Sequence, residues 1–159
     1  MEVIYPGTFD PITYGHLDLI ERATRIFSGV LVAVAENPAK KPLFSLSERV
    51  EMVRETVKKF PQVVVEPFSG LLVDFARQKG IRIILRGVRA ISDFEYEFQM
   101  ALSNRRFAPD IETIFLMPSE SYSFLSSRII KEAASLGADL REFLPPMVEK
   151  RLKEKLARR

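Results

Sequence analysis

Cysteine is absent from the 159 residues, and histidine occurs once, at His16. The missing cysteine excludes disulfides, cysteine nucleophiles and thiolate zinc sites, and a single histidine excludes a histidine-rich metal cage. No apolar run reaches the roughly 18 residues that a membrane-spanning helix needs. Met1 leads almost directly into strand-like sequence, so no signal peptide is expected. These absences favour a cytoplasmic protein without a membrane partner, and they restrict any metal to a hard cation such as Mg²⁺.

The net charge of +3 is unevenly distributed along the chain. Six basic and two acidic side chains lie between Met147 and Arg159, so the rest of the chain has a net charge of −1. A near-neutral body argues against a nucleic-acid partner. The pattern predicts a basic C-terminal helix over residues 146–158, which is either a solvated surface helix or an interaction arm.

Short Val- and Ile-rich runs alternate with amphipathic helical patterns along the whole chain. The runs are apolar on both faces, which is typical of buried parallel strands; they are Val3–Tyr5, Val30–Ala35, Val63–Glu66, Ile81–Leu85 and Thr113–Met117. We therefore predict one domain over residues 1–159. Its fold class is α/β, a Rossmann-like doubly wound five-stranded parallel sheet with helices on both faces and C-terminal helices.

Helix boundaries and buried faces can also be read from the sequence. Ser45 with Glu48, and Ser92 with Glu95, fit capping boxes at the starts of two helices. Helical spacing indicates which apolar residues share a buried face, and in the fourth helical pattern these are Phe94, Phe98, Ala101 and Leu102.

The first strand is followed by a Gly/Pro-rich turn, Tyr5-Pro-Gly-Thr-Phe-Asp-Pro-Ile-Thr-Tyr-Gly-His16, and then by a helix. At such a turn unpaired backbone N–H groups and the positive end of a helix dipole can meet an anion. Gly7 and Gly15 remove side-chain bulk where the backbone must approach a ligand. His16 could add a ring N–H donor to a phosphate. The alternative is a plain turn in which His16 caps its own helix.

The loops after the other four strands carry further candidate residues, each with a structural alternative. Lys40 and Lys41 could reach an anion or be ordinary exposed lysines, and Phe68–Leu72 could line a pocket or pack a helix start. Arg86 and Arg89 could grip phosphate oxygens or pair with the acidic helix that follows. The serines before Arg128 could cradle phosphate or only cap a helix.

All five loops follow strands of one parallel sheet, so they meet at the same sheet edge. Glycines, a histidine, lysines, arginines and serines converge there, without an evident nucleophile triad or acid–base pair. This combination predicts a polyphosphate site whose chemistry consists of positioning and charge neutralisation.

The segment GTFDPITYGH resembles the T/H-x-G-H signature of the nucleotidyltransferase superfamily. Together with RGVRAISDFEYE and SYSFLSSR, it resembles the phosphopantetheine adenylyltransferase family over almost the whole chain. The resemblance implies reversible transfer of an adenylyl group from ATP to 4′-phosphopantetheine, giving dephospho-coenzyme A and pyrophosphate. It also implies Mg²⁺ as cofactor, with no metal ligand assigned to the chain, and a homohexamer.

The resemblance also implies roles for individual residues. His16 is expected to stabilise the transition state at the α-phosphate. Substrate contacts are expected from Thr8, Lys40, Leu72 and Arg86, with Leu72 against the pantetheine arm. ATP contacts are expected from Thr8, Phe9, His16, Gly87, Val88, Arg89, Glu97, Tyr122, Ser123, Phe124, Leu125, Ser126, Ser127 and Arg128.

Two other functions remain open on the sequence alone. One is a transferase of the same superfamily with a different acceptor or nucleotide. The other is a non-enzymatic nucleotide- or RNA-binding module that uses the basic tail, which predicts a steep salt dependence of binding.

Overall fold

A computed structural model describes residues 1–158, apart from the side chain of Ser92. The strands are β1 (Glu2–Gly7), β2 (Gly29–Ala35), β3 (Val63–Phe68), β4 (Ile83–Gly87) and β5 (Glu112–Leu116). The helices are α1 (Tyr14–Ile26), α2 (Leu46–Val57), α3 (Leu72–Gln78), α4 (Ile91–Phe107), α5 (Ser127–Ser135) and α6 (Pro146–Ala157). Short 3-10 turns lie at Pro38–Lys40 and Glu120–Tyr122.

The strands form one parallel sheet in the order β3-β2-β1-β4-β5. Val3 pairs with Val30, and Ile4 pairs with Ile84. Because the winding direction reverses between β1 and β4, the loops that leave these two strands diverge and open a crevice at their carboxyl ends. The predicted α/β fold class is confirmed.

The three central strands, β2, β1 and β4, are buried on both faces of the sheet, whereas the edge strands β3 and β5 are only partly buried. Along β2, Val30, Val32 and Val34 belong to the larger core, and Leu31 and Ala33 belong to a smaller core on the opposite face. The larger core includes side chains from α1, α2, α5 and α6, and the smaller one includes Val73 and Ala76 from α3. This two-sided burial explains why the runs lack the polar alternation of a half-exposed strand.

Helix α4 differs from the sequence prediction in two respects. It begins at Ile91 with Ala90 as its N-cap, so the predicted capping box starting at Ser92 is wrong. The predicted buried face is also wrong, since Phe94, Phe98 and Leu102 are about half exposed. The inward side of the helix carries Glu97 instead, because that carboxylate has an arginine partner on β4.

The basic tail forms α6 and lies on the body of the protein. Val148 and Leu152 are fully buried in the larger core. On the outer side, Lys155 contacts Glu48 at 2.8 Å and Arg151 contacts Glu51 at 2.8 Å, both on α2. The helix is therefore a packed surface element whose charges complement α2. None of the helices within residues 1–158 has the length and apolar character needed to cross a membrane.

Candidate active site

A crevice of about 640 Å³ opens at the carboxyl ends of β1 and β4. It collects most of the residues predicted for the site, although they come from segments at or after the ends of four different strands, β1, β2, β4 and β5. Those that line it are Thr8, Phe9, His16, Lys40, Arg86, Gly87, Arg89, Glu97, Tyr122, Leu125, Ser126, Ser127 and Arg128. Five cationic and three acidic side chains line the crevice, an excess of two positive charges that suits an anionic ligand.

His16 is held by the first turn of α1. Thr13 is the N-cap, and its Oγ1 accepts a hydrogen bond from the His16 amide at 3.4 Å. In return, the His16 ring Nδ1 accepts the Thr13 amide at 3.0 Å. The imidazole thus occupies the place that Glu or Gln usually takes in a capping box. Capping and lining the crevice, which the sequence offered as alternatives, are both properties of this side chain.

This arrangement determines which ring nitrogen can donate. Loss of hydration, together with the charges of Arg89 and Arg86, lowers the pKa of His16 to about 4, so the ring is neutral at pH 7. A neutral imidazole carries one proton. Because a backbone N–H can only donate, Nδ1 must be the acceptor and the proton lies on Nε2. The ring therefore offers an Nε2–H donor.

The backbone of the same turn is mostly occupied. The amide of Tyr14 donates to Phe143 O at 2.9 Å, that of His16 donates to Thr13 Oγ1, and that of Leu17 donates to Thr13 O at 3.0 Å. The expectation that unpaired amides converge here is therefore wrong for these three groups, because the cap and the chain before α6 satisfy them. Side chains and the helix dipole must supply the remaining attraction for an anion.

Phe9 supports the imidazole. Its side chain is buried, and its ring meets the His16 ring edge-on at 5.0 Å between centroids. Phe9 has a φ of 50°, a left-handed conformation uncommon for a bulky residue. A Cβ atom on Gly7 would lie 2.9 Å from the Phe9 ring. Gly7 therefore makes room for Phe9, whereas the sequence suggested that it made room for a ligand.

Arg86 at the end of β4 and Arg89 just after it are both paired with the acidic helix, as the structural alternative proposed. Arg86 donates to both oxygens of Glu97, at 2.7 and 2.6 Å, and to Pro6 O at 3.0 Å. Burial opposes the charge of Arg86, but Glu97 outweighs it and raises the pKa of the guanidinium. Arg89 pairs with Asp93 at 2.8 Å and also contacts Leu125 O. The pairs still line the crevice, so they present prearranged guanidinium groups to it.

Two residues without a predicted role, Asp10 and Lys131, connect the loops of the crevice. The buried carboxylate of Asp10 accepts the amides of Leu43 and Phe44 at 2.9 Å each, and Lys131 from α5 donates to it at 2.6 Å. Asp10 lies within the quoted motif, but Lys131 is 121 residues away along the chain. No local pattern marks such a pair.

The serine-rich loop after β5 is partly structural. Ser126 caps α5 through Oγ, which accepts the Ile129 amide at 3.2 Å, so the capping interpretation is correct for this residue. Ser127 Oγ donates to Pro11 O at 2.8 Å and ties the loop to the turn after β1. Arg128 is exposed and pairs with Glu132.

Three residues predicted to contact ATP lie outside the lining of the crevice. The Val88 amide donates to Leu116 O at 3.0 Å, and Ser123 Oγ donates to Glu120 O at 2.9 Å. The Phe124 ring packs edge-on against Phe143. Their contacts with ATP stay predictions.

A second cavity of about 260 Å³ adjoins the crevice. Its walls include Phe68, Leu72, Met100 and Ala101, so the interpretation of Phe68–Leu72 as pocket-lining fits this surface. Thr8, Lys40, Arg86 and Glu97 line both cavities. The junction between them therefore carries the Lys40 ammonium, the Arg86 guanidinium with its paired Glu97 carboxylate, and the Thr8 hydroxyl, beside the walls formed by Leu72, Met100 and Ala101.

Comparison with known proteins identifies the family. A family model described as cytidylyltransferase-like matches residues 4–133. The chain is 59% identical to the phosphopantetheine adenylyltransferase of Hahella chejuensis, over 99% of this chain and 98% of that protein. It is 57% identical to the protein of the same name from Heliobacterium modesticaldum, over 96% and 90% of the two chains.

The chain belongs to the phosphopantetheine adenylyltransferase family. It is thus a nucleotidyltransferase, as the resemblance of its motifs implied. Its fold is also similar to a solved bifunctional NMN adenylyltransferase/ADP ribose pyrophosphatase from Francisella tularensis, with a TM-score of 0.73 at 16% identity. That match covers 98% of this chain and 49% of the other. At this identity the similarity shows the fold alone.

Proposed function

We propose that this chain transfers the adenylyl group of ATP to 4′-phosphopantetheine, yielding dephospho-coenzyme A and pyrophosphate. One structural observation supports this reaction in addition to the family assignment. Thr8, Lys40 and Arg86 line both the crevice of His16 and the adjoining apolar cavity. A phosphate held at this junction would have the nucleotide on one side and an extended acceptor arm on the other, with Leu72 against that arm.

The chemistry fits the side chains at hand. The attacking group is a phosphate monoester with a second pKa of about 6, so it needs no general base at neutral pH. Its attack on the α-phosphorus of ATP brings two anions together, and Lys40 and Arg86 offset their repulsion. The Nε2–H of His16 donates to a phosphate oxygen as negative charge develops, which favours the transition state over bound ATP. Attack is direct and in line, without a covalent enzyme intermediate.

Mg²⁺ is proposed to bind with ATP. Within residues 1–158, no group of three His, Asp or Glu side chains is arranged to hold a metal ion. This fits a cation whose ligands are mostly phosphate oxygens and water. Mg²⁺ would neutralise part of the triphosphate charge. Arg89 and Arg128, which line the crevice, would neutralise a further part of the triphosphate charge.

The homohexamer and the cytoplasmic location are also proposed. Support for self-association comes from the apolar side chains that α4 exposes, among them Ile91, Phe98, Leu102 and Phe107. An uncovered apolar surface of this kind is typical of a protein interface. A cytoplasmic location fits a substrate such as ATP.

The proposal is tested by measuring pyrophosphate release from ATP with and without 4′-phosphopantetheine, with mass detection of the nucleotide product. We expect release only with the acceptor, and dephospho-coenzyme A as the product. CTP in place of ATP, and pantetheine lacking its phosphate, are the matched controls. Faster turnover with CTP or with another phosphorylated acceptor would assign the chain a different reaction within the superfamily.

A further inference from the structure

Arg49 is a buried cation that the catalytic chemistry does not use. It lies on α2 and is 1% exposed. With Leu46, Val50, Val53 and Val57, it occupies the helical stripe that faces the core, where an apolar residue is the rule. A charge in such a place loses its hydration, and burial accordingly lowers the pKa of Arg49.

The guanidinium donates to four backbone carbonyl oxygens. Nη1 contacts Thr8 O at 2.7 Å and Ala35 O at 2.6 Å. Nη2 contacts Glu36 O at 3.1 Å, and Nε contacts Phe44 O at 3.2 Å. The four carbonyls come from three segments: the turn after β1, the end of β2, and the residue two before α2. One rigid fork of donors thus joins segments that are distant along the chain.

These contacts enclose the loop of Lys40. Glu36 precedes the loop and Phe44 follows it, so one side chain holds both of its ends. Asp10 reinforces the second end by accepting the amides of Leu43 and Phe44. Within the loop, Asn37 and Lys41 have φ values of 42° and 45°, left-handed conformations that need support from their surroundings.

The same guanidinium also holds the carbonyl of Thr8. Thr8 and Lys40 are two of the residues that line both cavities. By holding the carbonyl of Thr8 and the two ends of the Lys40 loop, Arg49 sets the position of the loop relative to Thr8 without touching a ligand. Lysine could not do this, because its three donors radiate from a single nitrogen.

We propose that Arg49 is a positioning residue that fixes the Lys40 loop against the Thr8 turn and thereby sets the affinity for the anionic acceptor. The proposal rests on the proposed function, in which Lys40 and Thr8 receive the phosphate of 4′-phosphopantetheine. Arg49 acts through these residues and makes no contact with substrate.

The test compares Arg49→Lys with Arg54→Lys, a control on the same helix whose Nη2 donates to Val65 O inside β3. We expect Arg49→Lys to raise the KM for 4′-phosphopantetheine by about ten- to a hundredfold, the range for losing a hydrogen bond from a charged donor. The kcat and the KM for ATP should change much less than the KM for 4′-phosphopantetheine. Arg54→Lys should leave all three parameters unchanged.

A double-mutant cycle with Lys40→Ala separates positioning from general stability. If Arg49 acts through Lys40, the rise in KM caused by Arg49→Lys shrinks markedly when Lys40 is already alanine. Additive effects would overturn the proposal. So would an Arg49→Lys enzyme that melts at a lower temperature but keeps the wild-type KM.

Amide hydrogen exchange gives a readout that does not depend on the reaction. In Arg49→Lys, the amides of Lys40, Lys41, Leu43 and Phe44 should exchange faster than in wild type, while those in the middle of α2 keep their protection. Unchanged exchange in the loop would contradict the proposal even if the KM rises. If the wild-type chain made no dephospho-coenzyme A, the proposed function would fail, and exchange would still decide whether Arg49 holds the loop.

Should Arg49→Lys not fold, the double variant Pro38→Gly with Pro42→Gly loosens the loop while leaving Arg49 in place. The proposal then requires the KM for 4′-phosphopantetheine to rise and the loop amides to exchange faster. A loosened loop with an unchanged KM would refute the link between loop position and acceptor affinity.

Discussion

His16 links local folding to the proposed chemistry. Its Nδ1 closes the capping box of α1 and its Nε2 keeps the proton, so the fold itself selects the tautomer. The pKa of about 4 keeps the ring uncharged, and a neutral donor can stabilise developing charge without binding ground-state ATP as strongly as a cation would. The cap and the tautomer thus follow from one interaction with Thr13, whereas the neutral charge state follows from burial and the nearby charges of Arg89 and Arg86.

Replacing His16 by glutamine separates its capping role from its proposed role as a donor to phosphate, because glutamine is a normal capping-box residue at this position. We expect His16→Gln to keep the fold while kcat falls on the order of 10²–10³-fold, as for loss of one oxyanion donor, with little change in ATP binding. Steady-state kinetics and ATP titration give the two quantities. A variant with near-normal turnover would remove His16 from the mechanism.

The lowered pKa of His16 also predicts a pH dependence of stability. The unfolded side chain titrates near 6.5 and the folded one near 4, so between these values the unfolded state binds more protons. This contribution to stability is fully present above pH 6.5 and is lost as the pH falls toward 4. The measurement is the free energy of unfolding in urea of wild type and of His16→Gln. As the pH falls from 6.5 to 4, wild type should lose stability relative to His16→Gln. A stability difference independent of pH would contradict the low pKa.

At the scale of secondary-structure elements, the sequence predicted the strands closely because burial of β1, β2 and β4 on both faces leaves a clear apolar signature, and because the edge strands β3 and β5 are also short apolar runs. The strand from Ile83 begins two residues after its predicted start, and the others agree about as well. Helix α4 was misjudged for a physical reason, since Phe98 and Leu102 look the same in sequence whether a core or another surface covers them. Pairs such as Asp10 with Lys131 could not be predicted, because their partners are chosen by the tertiary fold.

The candidate site was likewise predictable from the sequence only in part. The loops that hold its residues were predictable from strand order, and most of those residues do line one crevice. Arg49 did leave a signal, since a charged residue interrupts the apolar stripe of α2. Its four carbonyl partners depend on how three segments meet, which no local pattern encodes.

Helix α6 carries a prediction that separates an enzyme from a module that binds through its basic tail. Lys155 and Glu48 are each about one-third exposed, so Lys155→Met should cost less than about 1 kcal/mol of stability. Turnover should be unchanged, because the pair lies away from the crevice. The measurements are chemical unfolding and kcat, with Lys58→Met as a control outside the tail. Loss of the main activity only in Lys155→Met would favour the tail-binding alternative.

For the whole molecule, the uncovered face of α4 predicts self-association. Leu102 is 47% exposed on that face, and Leu136, beyond the end of α5, is 87% exposed. We expect Leu102→Glu to lower the mass measured by light scattering after size exclusion, because a charge buried at an interface loses its hydration. Leu136→Glu is the matched control and should keep the wild-type mass. Equal masses for both variants would place the contact between subunits elsewhere.

In the proposed reaction, the two adjoining cavities would bind different parts of the substrates. Leu72, Met100 and Ala101 form walls of the smaller chamber, whereas Thr13 and Phe9, which hold the imidazole, border only the larger one. Mutations that reshape the chamber can therefore alter which acceptor tail is accepted while the machinery at the scissile bond stays intact. Such a layout lets evolution, or an engineer, exchange one phosphorylated tail for another in small steps and keep a working catalyst throughout.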